Sequence, residues 1–405
     1  MTVPFKCADI LLPKKNFEKW AVIACDQFTS NNEYWKETEN FVGDNKSALR
    51  ITLPEIYLEE GNVDERIAEI NKTMSEYLAE EALVEYKDSM IYIERVQPDG
   101  RVRQGIVGAV DLEEYEYTKG ANKLIRATEG TVLERIPPRV RIRKDAPIEL
   151  PHIMLLIDDC KKTVIEPLAN QKYKMTKVYD FDLMMGGGHI SGYVMNADQV
   201  KSVLDGLSEL TGEESTPLLF AVGDGNHSLA TAKACYEDLK KNNPTLAADH
   251  PARYALAEVG NIHSNALDFE PIYRIILNVD PENVIKEFKN TFTAKGEEVI
   301  KYYFGNKEGT VKINVPEGCI TTGVIQDFID SYIRMYPETK VDYIHGIDDL
   351  KALAALSNSI GFSYEGITKE TLFDSVKATG ALPRKTFSMG EAKDKRYYIE
   401  CRRIK

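Results

Sequence analysis

The chain contains no apolar run near the ~18 residues that a membrane span requires. Its opening, Met1-Thr2-Val3-Pro4-Phe5-Lys6, has neither the apolar core nor the small-residue cleavage site of a signal peptide, so a cytoplasmic protein with no membrane partner is expected. The six cysteines (Cys7, Cys25, Cys160, Cys235, Cys319, Cys401) form no Cys-x-x-Cys pair, which argues against a zinc knuckle or a disulfide framework. The six histidines show no His-x-x-x-His spacing, and neither a Gly-x-Ser-x-Gly elbow nor a Walker loop is present. Gly186-Gly187-Gly188-His189 fails the dinucleotide signature, because Ser191 stands where its last glycine is needed; a tight turn is expected instead. Positive charge is also in deficit: 51 Lys and Arg against 64 Asp and Glu leave −13. That balance suits a phosphate-rich polymer poorly, so nucleic acid is not an expected partner.

What remains is globular usage, 43% hydrophobic and 28% charged, over 405 residues. That length suggests two or three units, and the patterning suggests α+β architecture with mixed sheets. The expected divisions are an N-terminal α+β region 1–120, a core region 121–255 and a C-terminal α/β region 256–405. Residues 20–25 read as a buried strand emptying into a polar loop, which makes Asp26 and Gln27 second-rank site candidates. Asn62-Val63-Asp64-Glu65 has the form of a capping box ahead of a helix, as does Asn196 with Gln199 ahead of 198–210. A hairpin is expected over Met90–Val96 and Val102–Val110, and a second strand set over 173–195. Asp280-Pro281 opens a helix near 281–291; strands at 299–304 and 310–315 and a helix near 322–336 follow. The basic stretch Arg135 to Lys144 contains the alternation Arg139-Val140-Arg141-Ile142-Arg143. It reads as a strand with one solvated face, and an anion groove on that face is compatible with it.

The strongest local signal is Gly223-Asp224-Gly225-Asn226-His227-Ser228. Pro217–Val222 reads as a buried strand, the glycines break it, and a helix runs from Asn226 to about Asn243. A strand, a glycine turn and a helix place unpaired N–H groups and the positive end of the helix dipole at one point, which attracts phosphate or carboxylate. Gly223 and Gly225 permit a sharp turn and close approach of a ligand. Asp224 suits a metal ion or a substrate proton, His227 suits acid/base work, and Ser228 can donate to a phosphate oxygen. The bland alternative stays open: Asp224 closes a turn, Asn226 caps the helix, and His227 is a surface residue. Elsewhere, Asp158-Asp159 after an apolar strand fits a solvated turn or a Mg²⁺ site. His152 stands ahead of that same strand. His189 and His263 fit loop positions with backbone partners.

Four stretches in order resemble one family. Val222 to Lys233 resembles the Ala-Asp-Gly-His-His-Arg signature of the DUF1015 proteins of unknown function. Ile125-Arg126-Ala127-Thr128-Glu129-Gly130-Thr131, followed by Arg135, resembles that family's Arg-His-Glu-x-Thr region. Leu267 to Arg274 resembles its Leu-x-x-x-Pro-x-His-Arg region, and Leu382-Pro383-Arg384-Lys385-Thr386-Phe387 its Pro-x-Lys-Ser-Thr-Phe ending. The glycine loop is also similar to that of the ParB/sulfiredoxin superfamily, one branch of which phosphorylates free serine. The resemblance implies a ParB/sulfiredoxin-like core with a strand–turn–helix anion site, joined to a second α/β domain. The chain departs from the pattern at Asn226 and Tyr273, which replace histidines, and at Ser228, which replaces the phosphate-gripping arginine.

The resulting expectation is a nucleotide- or phosphate-dependent enzyme, a small-molecule phosphotransferase using ATP or ADP with Mg²⁺. Asp224, His227 and Glu129 are the expected catalytic groups. Gly223, Gly225, Asn226, Ser228, Arg126, Thr131, Arg135 and Arg274 are the expected ligand-binding groups. A non-catalytic nucleotide or metabolite sensor is the alternative, and a metal-dependent hydrolase using Asp224 and His227 a weaker one. The expected partner is a small molecule; a homo-oligomer stays open.

Overall fold

The computed structural model describes residues 2–23, 28, 31–57, 61–118, 120–130, 136–212, 217–293, 296–390 and 392–405. Of the site candidates, Asp26, Gln27, Thr131 and Arg135 lie outside the described residues.

Three sheets organise the described chain. The largest has ten strands. From one edge it runs through Thr176–Asp182, His189–Val194, Ile91–Val96, Val102–Asp111 and Tyr254–Asn261. It continues through Met154–Ile157, Phe220–Asp224, Ile125–Ala127 and Tyr115–Glu116, with Phe5–Lys6 paired beside Val102–Asp111. Successive side chains of a strand point to opposite faces, so each central strand divides its apolar residues between two layers. Tyr92, Ile106, Leu155, Phe220 and Val222 face the layer roofed by helices Ala197–Thr211 and Asn226–Asn242. On the other face, Ile91, Ile93 and Val107 pack with Trp20, Trp35 and Met74, while Leu156 and Ala221 pack with Leu372, Phe387 and Met389.

A six-stranded sheet takes Lys307–Ile313, Glu298–Phe304, Ser359–Ser363, Phe269–Leu277, Lys340–His345 and, off the main path, Phe387–Met389. Helices Pro281–Thr291 and Thr321–Met335 bury Phe288 and Ile329 against one face; helix Ile347–Ala354 buries Leu350 against the other. The third sheet pairs Leu83–Ser89, Ala8–Pro13, Cys401–Arg403 and Ile148–Glu149, so both ends of the chain share it. Tyr254–Asn261 runs across the expected division at 255/256, and the C-terminal strand returns to residues 8–13.

Several local expectations match the fold. Asn196 and Gln199 form the reciprocal capping box of helix Ala197–Thr211, and Asp280 caps helix Pro281–Thr291. The triple-glycine segment is a turn, with Gly186 and Gly188 at φ 69° and 88°. Others need correction. Arg139–Arg143 is not a strand: it is the end of helix Ile136–Arg143, opened by Pro137 and Pro138. Proline is tolerated in a first helical turn, where its missing N–H has no intrahelical partner to lose, and five alternating residues mimicked a strand. Residues 20–23 form no strand either; helix Phe17–Trp20 ends there and Val22 makes one bridge to Tyr398. Asn62 precedes helix Val63–Ala79 without a side-chain cap, its side-chain Oδ1 accepting from Arg66 Nε at 3.4 Å instead.

Candidate functional site

The loop after Phe220–Asp224 is shaped by two glycines with different tasks. Gly225 lies at φ 82°, and a Cβ there would come within 3.0 Å of Ile153 Cα, so both backbone and space require glycine. Gly223 packs inward: an added Cβ would meet Met389 Cε at 2.8 Å and Leu156 Cγ at 2.9 Å. It serves core packing rather than ligand approach. Gly225 is the N-cap of helix Asn226–Asn242, with no side-chain capping bond and no acid in the first turn. Asn226 is therefore the first helical residue and not the cap. Its Oδ1 is buried with no hydrogen-bond partner among the described residues.

This helix start opens on a cavity of about 420 Å³, inside the ~300–1,000 Å³ range of small-molecule sites. Asp224, Gly225, Asn226, His227 and Ser228 line one side, and Glu129 and Gly130 lie beside them. Arg384 and Lys385 enter from the C-terminal part of the chain, and Arg139 and Arg143 from the short basic helix. The rest of the wall mixes apolar side chains, among them Trp35, Ile51, Leu53, Met74 and Ile142, with polar ones such as Thr52, Glu149 and Tyr343. The cavity thus combines charged side chains and a helix start with apolar surface.

Each acid in this cavity has a different setting. Asp224 accepts the Gly225 N–H at 2.8 Å through Oδ1 and faces Lys395 Nζ at 3.3 Å through Oδ2. Lys395 is held in turn by Arg95, a buried guanidinium that binds the carbonyls of Gly187, Lys393, Asp394 and Lys395. Glu129 is half-buried, and removal from water pushes its carboxyl above the ordinary glutamate value. The N–H groups of Lys385 and Thr386 and the charges of Lys385 and Lys395 oppose that shift without cancelling it. Its segment is stitched to the same turn: Gly130 N donates to Leu382 O at 2.9 Å and Leu382 N to Thr128 O at 2.7 Å. For Glu149, burial also disfavours charge, but Arg143, Arg402 and the Leu256 N–H overcome it and leave the carboxyl below its ordinary value. His152 lies in the cavity wall with Nδ1 2.8 Å from the Tyr398 hydroxyl.

Two expected ligand-binding arginines stand elsewhere. Arg126 is 2% exposed and donates to Lys123 O at 2.8 Å and Pro217 O at 2.9 Å, bracing a loop. Arg274 is fully buried behind the 383–386 turn and is absent from the cavity wall. Lys233 also points away, toward Leu112 O at 2.8 Å. Asp159 is spent on a turn, accepting the N–H groups of Thr163 and Val164, and Asp158 meets His263 Nε2 at 2.6 Å. His189 lies between Asp180 and Asp182, 2.7 Å from each, so its partners are carboxylates rather than backbone. Among the described residues no group of three metal-ligating side chains occurs. Sequence reasoning did not nominate Arg384, Lys385, Lys395, Trp35 or Met74. Only Arg384 and Lys385 carried a signal, as members of the Leu382–Phe387 stretch.

A family model described as "Protein of unknown function (DUF1015)" matches residues 3–342. The turn that carries Arg384 and Lys385 follows that span. No curated protein matches the chain. Among solved structures it is similar to a free serine kinase variant in complex with ADP, at 10% identity and TM-score 0.41, covering 75% of this chain and 93% of that one. A conserved hypothetical protein from Pyrococcus furiosus is similar at 10% identity and TM-score 0.37, covering 72% and 93%. C-terminally truncated SbnI from Staphylococcus aureus is similar at 10% identity and TM-score 0.37, covering 70% and 82%.

Proposed function

The chain belongs to the DUF1015 family, whose description assigns no reaction, and we propose for it a nucleotide-dependent phosphotransferase acting on a small molecule. One observation carries the reading: an uncapped helix start, two cations from the 383–386 turn and an under-compensated glutamate share one cavity with apolar side chains such as Trp35 and Met74. A nucleotide likewise joins charged phosphates to a base with apolar faces. Its phosphates would rest on the 225–228 helix start, with Ser228 as a hydroxyl donor and Arg384 and Lys385 as cations. The base or sugar would lie toward Trp35 and Met74. The arginine that the family signature carries at position 228 is thereby replaced from another part of the chain, and not by Arg126 or Arg274.

Phosphoryl transfer asks a protein mainly for positioning and charge stabilisation. The acceptor oxygen bonds to the transferred phosphorus while the bond from that phosphorus to its bridging oxygen breaks. The acceptor proton passes to Glu129, and the electron pair leaves with the shortened nucleotide. Glu129 suits that task because its proton affinity is raised toward the working pH. Mg²⁺ takes one or two carboxylates together with phosphate oxygens and water. Asp224, at the cavity wall with unshared lone pairs on both oxygens, fits that need. When bound, the ion would neutralise charge on the phosphates. His227 lies on the same helix start, where it can donate to or orient the transferred group.

The test is a thermal-shift series with ATP, ADP, CTP, GTP, phosphate and Mg²⁺ on wild type and on Asp224→Ala/His227→Ala. Binding to the native state raises Tm by mass action. A nucleotide-specific rise that the variant loses supports the reading, and no rise with any nucleotide ends it. A rise without turnover against a panel of hydroxyl acceptors would favour a sensor.

A further inference from the structure

Arg274 is 0% exposed, yet among the described residues its guanidinium donates to neutral oxygens. Nε reaches Gln326 Oε1 at 3.2 Å, Nη1 reaches Ile272 O and Lys385 O, the latter at 2.8 Å, and Nη2 reaches Arg384 O at 3.0 Å. A buried cation with no acid partner is costly, and a fold retains one where its donors are all used. Here two of the four bonds go to backbone carbonyls of one turn, at Arg384 and Lys385, and the other two anchor the guanidinium to Ile272 and Gln326. Lys385 adopts φ 56°, a left-handed conformation that a lysine holds only when its surroundings fix it. Thr386, fully buried, closes the turn by donating to Pro383 O at 2.6 Å. Tyr343 braces it from outside, its hydroxyl accepting from Arg384 Nε at 2.8 Å.

The turn has two outputs toward the cavity. Its side chains Arg384 and Lys385 line the wall, and its N–H groups at Lys385 and Thr386 face the Glu129 carboxyl. We infer that Arg274 is a positioning residue whose forked guanidinium sets the Pro383–Thr386 turn, bringing two cations and Glu129 together without touching the ligand itself. This rests on the phosphate-binding reading above. The fork is the operative feature: lysine would keep the charge but cannot serve four acceptors in one plane.

The experiment is a double-mutant cycle with ADP affinity read by calorimetry, well below each variant's Tm. Arg274→Lys is expected to weaken ADP binding about 10-fold or more, since contacts to charged groups are lost, and to leave adenosine binding unchanged. In an Arg384→Ala/Lys385→Ala background the same substitution is expected to cause no further loss. Equal losses in both backgrounds, or unchanged ADP affinity in Arg274→Lys, would overturn the inference. Should Arg274→Lys fail to fold, Gln326→Ala frees one arm of the fork and must show a smaller loss with the same dependence on background. Wild type that binds no nucleotide defeats the functional reading itself, and this inference with it.

Discussion

Glu129 and Glu149 line the same cavity and are driven in opposite directions. Glu149 is bound by Arg143 and Arg402, so that its charge is fixed despite burial. Glu129 lies against backbone N–H groups and two lysines that only partly offset its removal from water. Two carboxyls of one residue type thus acquire different tasks from their settings. The first is a brace joining the basic helix to the C-terminal strand; the second is, in the reaction we propose, the group that takes up the acceptor's proton.

The comparison breaks most visibly if Glu129→Gln and Glu149→Gln behave alike. Glu129→Gln is expected to lower phosphoryl transfer ~10²–10⁴-fold, the usual worth of a general base, with ADP affinity and Tm close to wild type; initial rates and calorimetry check this. A variant retaining more than a tenth of the rate would remove Glu129 from the chemistry. Glu149→Gln is expected to act on the fold, costing ~3–5 kcal/mol in urea unfolding because two arginines lose their buried counter-charge. A smaller effect is expected of Gly225→Ala, ~1–3 kcal/mol from forcing a side chain into left-handed backbone beside Ile153; an unaltered unfolding midpoint would contradict the turn geometry.

The subtlest difference is in pH dependence. The stabilisation from Glu149 is present above the ordinary glutamate value of 4.5 and is lost as pH falls through its lower folded value. Glu129 does the reverse: its folded state holds the proton more tightly, so stability declines as pH rises from 4.5 through its raised value. Urea unfolding across pH should show the acid-side slope flattened by Glu149→Gln. It should show the neutral-side decline reduced by Glu129→Gln. Identical profiles for the two variants would dissolve the contrast.

Much of this was legible locally. The strand, glycine turn and helix at 217–242 announce themselves by a change of hydrophobic period at Gly223-Asp224-Gly225, and Asn196 with Gln199 specifies its own cap. Arg139–Arg143 was not legible, because five alternating residues satisfy a strand pattern while the deciding prolines precede them. The site was half legible. Asp224 to Ser228 are contiguous, and Glu129 lies just past the end of strand Ile125–Ala127, which pairs with theirs. Arg384 and Lys385 arrive from beyond a second sheet, and Trp35 and Met74 from the N-terminal helices, so only tertiary packing unites them. Arg126 and Arg274 teach a further limit. An arginine that clamps buried carbonyls has the same one-letter signature as one that grips phosphate.

The central claim is that phosphate is held between the 225–228 helix start and the 383–386 turn. The most direct measurement compares ADP with adenosine by calorimetry, in wild type and in Arg384→Ala/Lys385→Ala. Wild type is expected to bind ADP at least ~10-fold more tightly than adenosine, as charge-assisted contacts to phosphate would give, and the variant to lose that preference while keeping its affinity for adenosine. Equal affinities for ADP and adenosine in wild type, or a preference that survives in the variant, would contradict it.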